Sequence, residues 1–194
     1  MAILTFIMFT VWAFVRSFMN RPPGDYETEV CDIRLKDKQY DKAIIAANLA
    51  LQKTPNHRGA VMCKALVFIS QKKYEKAKNE LTYLIVFLEK SIEKDDTTGI
   101  GTLAAAYANR GIVKDRNKDY LGAFEDYVKA LGIDHKAVAG PGLGIIILNY
   151  KFKSSSVKER ALYLNDQLQL PEEERVLSIK ELDEGQVMHK PGRL

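Results

Sequence analysis

The sequence predicts an all-α chain: an N-terminal transmembrane helix, then a short α-α superhelix of helix pairs. Three observations predict it. Near-copied phrases recur at Lys38-Gln39-Tyr40-Asp41-Lys42-Ala43, Lys72-Lys73-Tyr74-Glu75-Lys76-Ala77 and Lys118-Asp119-Tyr120-Leu121-Gly122-Ala123. Ala43 and Ala77 lie 34 residues apart, the period of a helix–turn–helix unit, and Ala123 follows 46 residues later, so one unit carries 12 extra residues. No segment sustains the period-two alternation of a half-buried strand.

The first element is the apolar run Ala2–Val15, which contains no charge. Extended as a helix to Asn20 it would span about 30 Å, the depth of a bilayer core, with Arg16 reaching back to the headgroups. Residues 1–20 are therefore expected to be a single-pass membrane anchor, with an amphipathic or partner-buried helix as the alternative. A basic stretch before the run and a small-residue cleavage site would mark a cleaved signal, and neither is present. Arg16 and Arg21 follow the run and no Lys or Arg precedes it, which predicts a cytoplasmic soluble part.

Arg21-Pro22-Pro23-Gly24 breaks the helix and serves as a linker, because proline cannot continue it. Helices are then expected in pairs, over about 25–36 and 40–53, 58–70 and 74–94, and 102–116 and 120–132. A polar link, Asp95–Gly101, separates the second pair from the third. The units run 25–57, 58–103 with the insertion, and 104–137. A degenerate fourth covers 138–171, with Ile145–Leu148 on its first helix and Ala161–Leu164 on its second. A charged capping helix over 172–185, acids first to suit the helix dipole, precedes a tail over 186–194.

These residues resemble the tetratricopeptide repeat (TPR) family. The resemblance covers 25–137 and is carried by small residues where paired helices approach: Cys31, Ala43 and Ala50, then Ala65 and Ala77, then Gly111, Ala123 and Ala130. Pro55 stands where the pattern ends a unit. The most specific stretch is Ala106-Tyr107-Ala108-Asn109-Arg110-Gly111 followed by Asp126-Tyr127-Val128-Lys129-Ala130-Leu131. The first unit departs from the pattern by carrying Ala47 where a large residue is usual.

In that family the first helix of each pair lines a concave groove. Carried onto this chain, the lining includes Asp32, Leu35, Met62, Leu66, Ile69, Ser70, Asn109, Ile112, Asp115 and Arg116. The groove is apolar at its centre and charged toward its ends, which suits an amphipathic helix or apolar peptide. The chain's own helix, through Val176, Leu177, Ile179 and Leu182, is an alternative occupant. Chaperone-tail binding is disfavoured, because Thr28, Asp32 and Cys63 replace residues of the family's carboxylate clamp and only Asn109 is left. A second candidate surface is Tyr83, Val86 and Phe87, which widen the apolar stripe of a long helix beyond what one neighbour covers.

The composition excludes several functions. A net charge of +4 over 194 residues is too small an excess to imply nucleic acid. Cys31 and Cys63, the two cysteines, read as small buried residues of a reducing compartment rather than as a disulfide. His57, His135 and His189 lie far apart without ligand spacing, so no metal or other cofactor is expected. Gly140-Pro141-Gly142-Leu143-Gly144 follows a helix and lacks a downstream lysine, so it marks a unit boundary rather than a phosphate loop. No residues support catalysis. The expected function is a membrane-anchored scaffold that binds protein partners in the assembly or regulation of a membrane complex. A constitutive subunit of such a complex is the alternative, and RNA binding a remote one, since base-reading polar pairs are not evident.

Overall fold

Each copied phrase proves to be the turn of a helical hairpin. The computed structural model describes residues 2–19, 21–135, 138 and 157–190. The lysines opening the phrases, Lys38, Lys72 and Lys118, have left-handed backbones with φ of 59°, 57° and 65°. At each turn the lysine N–H donates three residues back, to the carbonyls of Leu35, Ile69 and Asp115. The next N–H donates five residues back, to Arg34, Phe68 and Lys114. This closure satisfies carbonyls that a helix end would otherwise leave unpaired. The tyrosine then starts the second helix.

The described residues are helical and contain no strand. After α1 (Ala2–Met19), the hairpins pair α2 (Asp25–Lys36) with α3 (Tyr40–Lys53), α4 (Arg58–Ser70) with α5 (Tyr74–Ser91), and α6 (Thr97–Arg116) with α7 (Tyr120–Asp134). Successive hairpins stack, α4 against α2 and α3, and α6 against α4 and α5. Helix α8 (Val157–Leu168) packs on α7, followed by a 3-10 turn (Glu172–Glu174) and the short α9 (Lys180–Gly185). The first helix expected for a fourth unit, with Gly140–Gly144 and Ser154–Ser156, falls outside the described residues.

Four expectations need correction. No helix among the described residues is long and apolar enough to cross a membrane. The uncharged run Ala2–Val15 reaches only about 21 Å at 1.5 Å per residue, short of a bilayer core of about 30 Å. The Asp95–Gly101 link is mostly helix, because Asp96 caps α6 by accepting from the Gly99 N–H at 2.7 Å. The inserted residues therefore lengthen both flanking helices, α5 to 18 residues, in keeping with the long second helix expected there, and α6 to 20. The continuous helix expected over 172–185 is broken, with Arg175 and Ile179 in extended conformation before α9 begins.

The fourth correction is chemical. Cys31 and Cys63 are joined in a disulfide, Cα–Cα 6.4 Å, that ties α2 to α4. The core explains its place. A large cluster runs from Val61 to Leu164 and includes Leu81, Leu84, Leu88, Ile112 and Tyr127. The first hairpin has only a small cluster of Ala43, Ala46, Ala47, Cys31, Cys63 and Val67. With Ala47 in place of a large side chain, little apolar area is buried there, and a covalent bond supplements the packing.

Candidate functional site

The first helices of the hairpins bring Met62, Leu66, Ile69, Asn109 and Ile112 together, none more than 3% exposed. Leu35 is partly buried against both clusters, and Asp32 lies at the α2 end. Arg116 is exposed and does not join them. On α5, Phe87 packs into the core while Tyr83 and Val86 are exposed, so the second candidate surface is divided.

The groove holds the chain's own residues 186–190, an extended segment after α9. Asn109, fully buried, grips the main chain of His189 through both halves of its amide. Its Nδ2 donates to the His189 carbonyl at 2.6 Å, and its Oδ1 accepts from the His189 N–H at 2.8 Å. The same amide nitrogen lies 3.5 Å from the Met62 sulfur. Ser70 donates weakly to the Met188 sulfur at 3.9 Å, and Lys190 forms an ion pair with Asp32. Burial holds the His189 imidazole down to about 4, so it is neutral near pH 7.

Behind the segment lies a buried charge network. Arg160 of α8 is fully buried and donates through Nε and Nη2 to the two carboxylate oxygens of Asp115, each at 2.7 Å. Its Nη2 also donates to the Leu177 carbonyl at 2.9 Å and lies 3.0 Å from Asp183. Burial disfavours the charged guanidinium, yet Asp115 outweighs that and the Arg160 pKa is raised. Gln186 donates to Asp115 at 2.8 Å, and Tyr127 donates to it at 3.1 Å. Burial first and the carboxylate second push the Tyr127 hydroxyl well above its usual range.

Toward the first hairpin the groove opens into a cavity of about 840 Å³, lined by Asp32, His57, Arg58, Met62, Asp96 and Lys190 among others. His57 caps α4, its Nδ1 accepting from the Ala60 N–H at 3.2 Å, so its proton sits on Nε2, 2.9 Å from Asp25. Among the described residues no group of three His, Cys, Asp or Glu side chains could hold a metal ion. What the arrangement offers is main-chain recognition.

The chain matches no protein-family model and no curated protein. The TPR resemblance thus rests on the sequence residues alone.

Sequence reasoning located Asn109, Ser70 and Asp115 on the groove but missed Arg160, Gln186 and His189. Arg160 carried one visible signal, a lone arginine between Val157 and the apolar stretch Ala161–Leu164. The expectation that Val176–Leu182 would fill the groove as a helix differs from the structure: Leu177 packs against the core, Val176 is exposed, and the occupant is 186–190.

Proposed function

We propose that this chain is a TPR-like protein-interaction scaffold, tethered at a membrane by α1, whose groove receives extended peptide. The observation that carries it is the pair of hydrogen bonds between the Asn109 amide and the main chain of His189. Such a pairing reads backbone rather than a particular side chain, as strand-addition sites do.

Helix α1 supports the tether. Its described side chains are all exposed, and Ile3, Leu4, Phe6, Ile7, Phe9, Val11 and Trp12 face outward around the whole circumference. A helix apolar on every side needs an apolar surround, which lipid supplies and a single protein groove does not. Arg16 stacks on Trp12, 5.0 Å from the ring centroid, an arrangement suited to the headgroup level. Insertion without crossing fits its length. The Cys31–Cys63 disulfide supports an oxidising compartment for the hairpins, against the cytoplasmic placement suggested by Arg16 and Arg21.

The alternative, a permanent subunit of a larger membrane complex, is favoured by exposed apolar residues on the second helices: Ile45, Leu49, Tyr83, Val86, Leu121 and Val128. Purification in mild detergent followed by native mass measurement separates the two. A scaffold exchanges partners and appears in part free, a permanent subunit appears at fixed stoichiometry, and a lone monomer counts against both. Flotation with liposomes tests the tether: Phe6→Asp with Phe9→Asp should abolish it, and unchanged flotation would sink that part of the reading.

A further inference from the structure

The segment 186–190 crosses the groove in a defined register. Gln186 reaches Asp115 on α6, Asn109 of α6 grips the main chain of residue 189, Met188 meets Ser70 on α4, and Lys190 pairs with Asp32 on α2. Each hairpin's first helix thus contributes a polar group. The contacts alternate along the segment, as an extended chain requires. Gln186, Met188 and Lys190 engage the three helices with polar or sulfur contacts of their side chains. His189 is held by its main chain and buries its ring near Ile112, Tyr127 and Val157.

We propose that residues 186–190 are a built-in, releasable ligand: a strap that closes the groove to partner peptides presenting the same chemistry. The inference rests on the scaffold reading above and names the partner class for its groove. That partner is an extended peptide carrying an amide side chain, an apolar residue and a basic residue at alternate positions, in that order. The basic residue meets Asp32, the apolar one packs on the core beside Ser70, and the amide meets the Asp115–Tyr127 pair. The residue between the apolar and basic positions is gripped through its backbone and must also bury its side chain near Ile112, Tyr127 and Val157. A partner competes because it offers equivalent bonds, and the strap wins in its absence because tethering gives it a high effective concentration.

The test uses the full chain in mild detergent and a fluorescein-labelled synthetic peptide with the sequence of residues 184–190. Fluorescence anisotropy compares the native chain, a loosened chain carrying Met188→Asp and Lys190→Glu, and the loosened chain with Asn109→Ala added. Circular dichroism monitors helicity in all three. The loosened chain should bind the peptide at least tenfold more tightly than the native chain, and Asn109→Ala should remove most of that gain. Equal affinity for native and loosened chains would overturn the strap while leaving a peptide-binding groove in place. No binding to a loosened chain of native helicity would overturn the inference, whereas the scaffold reading fails separately, on recovery of a lone monomer in the native mass experiment. Should the loosened chain lose helicity, amide hydrogen exchange on the native chain decides. The His189 amide should exchange at least tenfold faster than the slowest amides of α6, by local release. Exchange of both at the same global rate would overturn the proposal.

Discussion

The two ends of the hairpin stack are fastened by opposite chemistries. The first hairpin, with its core of alanines, is joined to the second by the Cys31–Cys63 disulfide. At the other end α8 is joined to α6 by the buried Arg160–Asp115 pair, and the strap adds Gln186 to the same carboxylate. Between them the stack is held mainly by apolar packing around Leu81, Leu84 and Leu88, with Arg110 and Lys114 of α6 paired to the buried Asp126 of α7. The difference teaches that the two ends of the described stack can be secured by unrelated means. A covalent link acts by restricting the unfolded chain, while a buried ion pair acts only when every partner is present. One end should therefore respond to reductant and the other to charge.

The largest effect is expected at the charged end. Arg160→Ala leaves the Asp115 carboxylate buried without its main partner and should cost about 3–5 kcal/mol of stability. Adding Asp115→Leu to Arg160→Met should recover much of that loss in urea unfolding. A single variant as stable as the native chain would show that the pair is incidental.

Next in size is the disulfide. With a sequence separation of 32, opening it should cost about 3–4 kcal/mol on chain-entropy grounds. Cys31→Ala with Cys63→Ala should lower the melting temperature by the same amount as dithiothreitol lowers that of the native chain. Insensitivity of the native chain to reductant would break the comparison.

The strap supplies a pH arm. His189 has its pKa lowered from 6.5 to about 4 in the fold, so the unfolded or released form binds the proton more readily. Its contribution is complete above pH 6.5 and is lost as pH falls toward 4. The loss reaches at most about 3 kcal/mol at pH 4. An NMR titration of the His189 ring should find a midpoint near 4 in the native chain, and a midpoint near 6.5 would refute burial.

The smallest effect is expected in the middle. A Cβ at Gly111 would meet the Tyr127 ring at 2.6 Å and the Ala123 carbonyl at 3.2 Å, where α6 and α7 approach most closely. Gly111→Ala should therefore cost about 1–3 kcal/mol by overpacking, equally in reductant and across pH. A penalty that vanished in reductant would mean that the ends and the middle are not independent.

Much of the helix layout was legible from local signals. The repeated lysine–x–tyrosine phrase marks the three hairpin turns because a left-handed residue and a new helix start recur there. Periodicity alone misjudged Asp95–Gly101, since two glycines read as a break while the Asp96 cap and packing against α4 and α5 make it helical. The groove residues Met62, Leu66, Ile69, Asn109 and Ile112 followed from the phase of the repeats. Arg160, Gln186 and His189 did not, because their partners lie far away in the chain: Asp115 is 45 residues from Arg160, and Asn109 is 80 residues from His189.

The sequence by itself determined the all-α class, the hairpin phase and which faces are apolar. These are short-range properties, set by periodicity, capping and turn chemistry within a few residues. Tertiary structure alone decided that the two cysteines bond, that a buried arginine fastens α8, and that the strap occupies the groove. Each depends on which surfaces meet across the stack. A linear pattern cannot specify that meeting, because the energy that selects it comes from burying both partners at once.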